Sequence, residues 1–150
     1  MKRWRFVILG GLAFYVSQFV LGFATGPLIH NGVLKETYKQ HSGLWRPELN
    51  QDPPDMAALM PMWIPRGILA AFIIAWVFSE VRSGMSGPGW KRGLRGGFWL
   101  FLIWVTFALG YSGIFNGADK IWAWWGAEML VAYLLPGAVL GWISDKLSPD

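Results

Sequence analysis

The stretch from Phe6 to Thr25, FVILGGLAFYVSQFVLGFAT, runs without a single charge, and three more apolar runs of similar length follow it at 57–78, 98–115 and 121–144. A bilayer's hydrocarbon core is about 30 Å thick and is crossed by about 20 helical residues rising ~1.5 Å each. Four such runs constrain the chain severely, because every backbone polar group inside lipid has to be satisfied within the protein. Only helices and closed barrels do that. The runs show no sustained period-two alternation and are too long for barrel strands, so the expected fold class is all-α, an integral membrane four-transmembrane-helix bundle forming one domain. The links are expected to be an outer loop at 35–55 and a cytoplasmic loop at 79–97. Gly26-Pro27 is expected to break or kink the first helix near the membrane surface.

The cations set the expected orientation. One end collects Lys2, Arg3, Arg5, Arg82, Lys91, Arg92, Arg95 and Lys146, while at the other Lys35, Lys39, Arg46 and Lys120 are offset by Glu36, Glu48, Asp52, Asp55 and Asp119. Short cytoplasmic segments collect Lys and Arg, which places both termini in the cytoplasm and 35–55 outside. The tryptophans agree: all but Trp63 and Trp104 fall near predicted span ends, where an indole keeps its ring in lipid and its N–H wet. The first run exceeds the usual apolar core of a signal peptide, so an uncleaved anchor is expected.

Composition excludes several functions. With no Cys among 150 residues, there are no disulfides, thiolate metal sites or Cys nucleophiles. The net charge of +4 comes from residues at span ends rather than from a basic face, which argues against nucleic acid. No Ser-His-acid arrangement has a recognisable context, and two His cannot hold a haem from within the spans. No metal and no cofactor is expected. The loop Ser83 to Gly89, SGMSGPG, reads as a flexible turn rather than a phosphate cradle, which would need a preceding strand. Among the Gly-x-x-x-Gly pairs, only Gly137/Gly141 lies wholly within a run, where it predicts a helix contact inside the protomer.

Two polar centres stand out. Arg66 interrupts the second run and Glu128 the fourth; a charge near mid-membrane costs several kcal/mol unless it is paired, hydrated or snorkelling. Arg66 lies nine residues after Ala57 and Glu128 seven after Ile121, a depth difference of about 3 Å. This predicts an intramembrane Arg66–Glu128 ion pair or ligand-binding centre, with Trp63, Trp124 and Trp125 as aromatic neighbours. The second centre is the outer segment, where His30, Tyr38, Trp45, Arg46 and Glu48 would form a rim, and Asp52 to Asp55 would start the next helix.

The run LIHNGVLKETYKQHSGLWRPEL, following directly on the first apolar run, resembles a set of small bacterial four-helix membrane proteins of unknown function. In these a His-x-Gly segment, a Tyr and then Trp-Arg-Pro-Glu follow the first helix. The matching positions are His30, Gly32, Tyr38, Trp45, Arg46, Pro47 and Glu48, and the Asp-Pro-Pro-Asp insertion and high Trp content depart from the pattern. The resemblance implies a multi-pass protein of the bacterial inner membrane and no activity. The leading functional expectation is a non-enzymatic interaction or accessory subunit of a larger membrane complex, in contact with lipid and possibly other subunits. The alternative is a small-molecule binder or transporter built on Arg66 and Glu128.

Overall fold

The computed structural model describes residues 2–147, the side chain of Lys2 excepted, so the placing of Lys2 among the basic end residues lies outside what is described. The described residues are all-α, with no strand. Helix α1 (Lys2–Leu28) passes into a π turn (Ile29–Val33) and short α2 (Lys35–Gln40), and two 3-10 turns lead to α3 (Met56–Val81). A 3-10 turn at Arg82–Gly84 then precedes α4 (Gly89–Ser112), and α5 (Asp119–Leu147) completes the bundle. Four helical stretches, Arg3–Val33, Met56–Gly84, Gly89–Ser112 and Asp119–Leu147, are long and apolar enough to cross a membrane.

Helix α1 is the central element, packing on α3 at one side and α5 at the other, while α4 packs on α5. Adjacent glycines of α1 face the two partners. A methyl on Gly10 would meet Leu140 of α5 at 2.9 Å, and one on Gly11 would meet Phe72 of α3 at 2.6 Å. Around them Phe6, Phe14, Ala71, Ala75, Phe78, Met85 and Leu140 form the buried core. Phe6 and Phe78 place their rings 6.3 Å apart, which puts the start of α1 beside the end of α3 and both termini at one end of the bundle.

The closest helix contact is between α4 and α5. A methyl on Gly93 would lie 2.0 Å from the Gly137 carbonyl oxygen, on Gly89 2.1 Å from that of Gly141, and on Gly97 2.2 Å from that of Tyr133. Gly137/Gly141 therefore makes its contact within the protomer, as its spacing suggests. The partner stripe is a correction, because the segment 79–97 is not one long loop: α3 runs to Val81 and α4 starts at Gly89. Glycine is a poor helix former in water, but in lipid a glycine stripe admits a facing backbone, and that packing outweighs propensity. Gly87, at φ +100°, makes the turn that reverses the chain.

Gly26-Pro27 is a second correction. The helix continues through Pro27, and the missing proline N–H is accommodated by wider turns instead of a break. The Leu34 N–H donates to the Ile29 carbonyl at 2.8 Å, five residues back. Asp55 does start the next helix, its carboxylate accepting from the Ala58 N–H at 3.0 Å.

At the terminal end, Asp145 of α5 caps α4 from outside. It accepts from the Gly89 N–H at 2.6 Å and from the buried Arg92 guanidinium at 2.5 Å. Arg82, also buried, donates to the Ser144 carbonyl at 3.3 Å and lies over the Phe6 ring. Asp145→Ala is expected to cost about 2 kcal/mol, since a charge-assisted bond and a helix-start acceptor go together. Asp145→Asn should cost roughly half as much by keeping the acceptor; thermal unfolding of both proteins in detergent checks the ranking.

Candidate functional site

The site is built where α1 ends and α5 begins. Glu128 of α5 has its side chain 10% exposed, and among the described residues its bonding partners are Thr25 and His30. The Thr25 hydroxyl lies 2.5 Å from Oε1 and the His30 Nε2 lies 3.0 Å from Oε2. The π turn places His30 there. It holds the imidazole over the first turns of α5 while leaving it 37% exposed, between Glu128 and the α2 end of the bundle.

Behind His30 the network continues through Tyr38, whose hydroxyl is 2.7 Å from the His30 Nδ1 and 2.7 Å from the Trp125 Nε1. An indole N–H can only donate. Trp125 therefore donates to the Tyr38 oxygen, the Tyr38 proton goes to Nδ1, and neutral His30 carries its own proton on Nε2, where it donates to Glu128. One donor-only group thus sets the direction of the whole chain and the imidazole tautomer.

Aromatic packing holds this network in place. Trp45 donates to the Tyr38 carbonyl at 3.1 Å, with its ring 5.0 Å from that of Tyr38 and 5.8 Å from that of Trp125. Ile29, Leu34 and Ile121 are buried beneath these rings. Lys120 ties the start of α5 to the π turn by donating to the Val33 carbonyl at 2.9 Å. Arg46 and Glu48 pair with each other at 3.5 Å, outside the network. The Glu48 carboxyl is held below its usual range by its own backbone N–H first, and by Arg46 beside it.

Burial pushes the Tyr38 phenol above its ordinary value of 10.0; the Trp125 bond opposes this and the negative charge of Glu128 adds to it. Tyr38 thus stays protonated and able to donate to His30 across the neutral range. Because the folded value is raised, the stability Tyr38 contributes is fully present below the unfolded value and is lost as pH rises through the folded one. Thermal unfolding should show stability falling above about pH 10. Tyr38→Phe should be less stable at neutral pH by about 1–3 kcal/mol and should lack that alkaline step.

The predicted residues divide clearly. Glu128, Trp125, His30, Tyr38 and Trp45 come together. Arg66, Trp63 and Trp124 do not: all three lie on exposed surfaces, and among the described residues Arg66 makes no ion pair. Matching depth does not pair Arg66 with Glu128, because α1 lies between α3 and α5. On α3 it is Gly67 that faces α1, against Tyr15. The flexible stem of Arg66 can carry its guanidinium towards a headgroup layer.

Beside Glu128 a cavity of about 320 Å³ opens between α1 and α5, with Gln18, Gly22, Thr25 and Tyr133 on its wall. Gln18 donates to the Ala132 carbonyl at 3.1 Å, and a methyl added at Gly22 would meet nothing within 4 Å. Sequence reasoning passed over Gln18 and Thr25. Their spacing is the signal that could have found them, since polar residues seven apart in an apolar run share one helix face, with Gly22 between them.

Compared with protein-family models, curated proteins and solved structures, the chain matches none. The four spanning helices give its class. It is a multi-pass membrane protein.

Proposed function

We propose that the protein is a non-enzymatic small-molecule binder or transporter of the bacterial cytoplasmic membrane, with its site in the α1/α5 cavity and Glu128 as the polar anchor. The observation that carries this reading is the Glu128 carboxylate itself. It is almost buried in a spanning helix, held by Thr25 and His30, and set on the wall of a 320 Å³ cavity. Intramembrane ionisable groups are costly and tend to mark ligand or ion pathways, and the volume lies at the small end of ligand pockets. The basic residues at the terminal end favour placing both termini in the cytoplasm, with His30 at the outer mouth.

A second reading, an accessory subunit of a larger membrane complex, rests on the outward aromatic side of α4, where Phe98, Trp99, Phe107 and Tyr111 are exposed. Lipid covers such a surface equally well, so the cavity is the stronger observation. Gentle extraction from the native membrane followed by native mass spectrometry separates the two. The binder reading expects a protein carrying a small molecule that Gly22→Leu, which fills the cavity, expels. Migration with other subunits, unchanged by Gly22→Leu and with no small molecule released, would favour the accessory subunit.

A further inference from the structure

Thr25 touches two acceptors with one proton. Its hydroxyl oxygen lies 2.5 Å from Glu128 Oε1 and 3.0 Å from the Leu21 carbonyl oxygen. When Glu128 is ionised, Thr25 donates to Oε1. When Oε1 carries a proton, Glu128 donates to Thr25, which turns its own proton to Leu21. His30 donates to Oε2 in both states. The carboxyl can therefore gain or lose a proton by the turn of one hydroxyl, with every bond in the network kept.

The surroundings supply no fixed counter-charge. From α1 and its π turn, Thr25 and neutral His30 face Glu128, with Tyr38 of α2 behind His30. Tyr133 and Gln18 stand on the cavity wall. Helix α4 brings Trp104 over Gly126 and has no charged residue beyond Arg95, while α3 packs on α1 rather than α5. A lone carboxylate in a low dielectric needs a positive partner. Here that partner is either a proton or a cation entering the cavity.

We infer that the α1/α5 cavity takes a protonated amine bearing an apolar group, in exchange for the proton that Glu128 carries when the cavity is empty; this rests on the binding reading above. The ammonium N–H groups meet the Glu128 carboxylate and the Gln18 amide oxygen, left over because the Gln18 NH2 group donates to Ala132. The Tyr133 ring offers a face for the cation. The apolar group lies along Leu21 and Val131, towards the opening at Gly22. The exchange balances: one ammonium enters, one proton leaves the carboxylic acid for water, and no covalent bond to the ligand forms. Anions are excluded because nothing on the wall is cationic.

The test is calorimetric titration of the detergent-purified full chain with 2-phenylethylamine, its neutral analogue 2-phenylethanol and its anionic analogue phenylacetate. Titrations run from about pH 5 to 9 in buffers of different ionisation enthalpy, so that released protons are counted. The amine is expected to bind at least tenfold more tightly than the alcohol, and phenylacetate not at all. Amine affinity should rise by up to tenfold per pH unit where Glu128 holds the proton, with up to one proton released per amine. Glu128→Gln keeps both hydrogen bonds and should melt like the wild type, yet lose the proton release and at least tenfold in amine affinity. His30→Gln, which removes the other titrating group, should retain the release. Equal binding of the alcohol that Gly22→Leu abolishes would sink the cation assignment and leave the cavity standing. Amine binding that Glu128→Gln leaves unchanged would also overturn the exchange, and no binding by any of the three compounds would overturn both exchange and cavity.

Discussion

Gly93→Ala is expected to cost roughly 3 kcal/mol or more of stability in detergent, the largest effect of any single methyl group added to the chain. The added carbon would lie 2.0 Å from the Gly137 carbonyl oxygen, well inside contact distance, and that oxygen belongs to backbone that cannot rotate away. The helices must separate, and the separation propagates along the stripe, because Gly89 and Gly97 sit against Gly141 and Tyr133 at equally short range. In lipid this costs more than a local clash. Close backbone packing is a main source of helix association there, so a gap of even an ångström forfeits much of the dispersion energy that joins α4 to α5. Gly110→Ala is the control on the same helix. Its methyl meets nothing within 4 Å, and replacing glycine by alanine in an open helical position should be neutral or stabilising by up to about 1 kcal/mol. Thermal unfolding of the two variants side by side separates a packing effect from a general intolerance of α4 to substitution.

His30→Ala carries the second large effect, expected at about 2 kcal/mol. It removes the donor to Glu128 Oε2 and the acceptor of the Tyr38 proton together. Water reaches the partly exposed His30 position and offsets some of the loss at Tyr38, but it reaches the 10% exposed Glu128 poorly. The loss should therefore depend on Glu128. In a double-mutant cycle with Glu128→Gln, the two changes should couple by at least about 1 kcal/mol. The cycle of Arg66→Met with Glu128→Gln should be additive within about 0.5 kcal/mol, because α1 stands between those residues.

The outline of the fold was legible because membrane burial writes a long-range signal into a local pattern: each spanning helix must be apolar over its whole length. The ends of the helices were less legible. Gly89, Gly93 and Gly97 read as loop residues because glycine propensity is measured in water, whereas their helix is fixed by α5, more than thirty residues away in sequence. Pro27 read as a breaker because a wider π turn is invisible to a rule based on α geometry. At the candidate site, Glu128 and Trp125 were identifiable by type, and the motif from His30 to Glu48 marked the covering segment.

What one-dimensional depth could not supply was azimuth. Arg66 and Glu128 share a depth, but which helices are neighbours is decided by packing at Gly10, Gly11 and Gly67, residues without side chains of their own to read. Thr25 went unnoticed for a related reason. A hydroxyl inside an apolar helix ordinarily back-bonds to its own carbonyls, and its bond to Leu21 has that form. Its second contact, to Glu128, appears only when α5 is in place.

The most direct test of Glu128 as the polar anchor of a membrane-facing cavity is carbodiimide labelling. Dicyclohexylcarbodiimide partitions into lipid and adds to a carboxylic acid as a stable acylurea. Native membranes treated with it and analysed by peptide mass spectrometry should show Glu128 as the principal modified acid. The adduct should persist in Arg66→Met and fall at least about tenfold in Gly22→Leu, which closes the cavity. An unmodified Glu128, or one labelled equally in Gly22→Leu, would contradict the account.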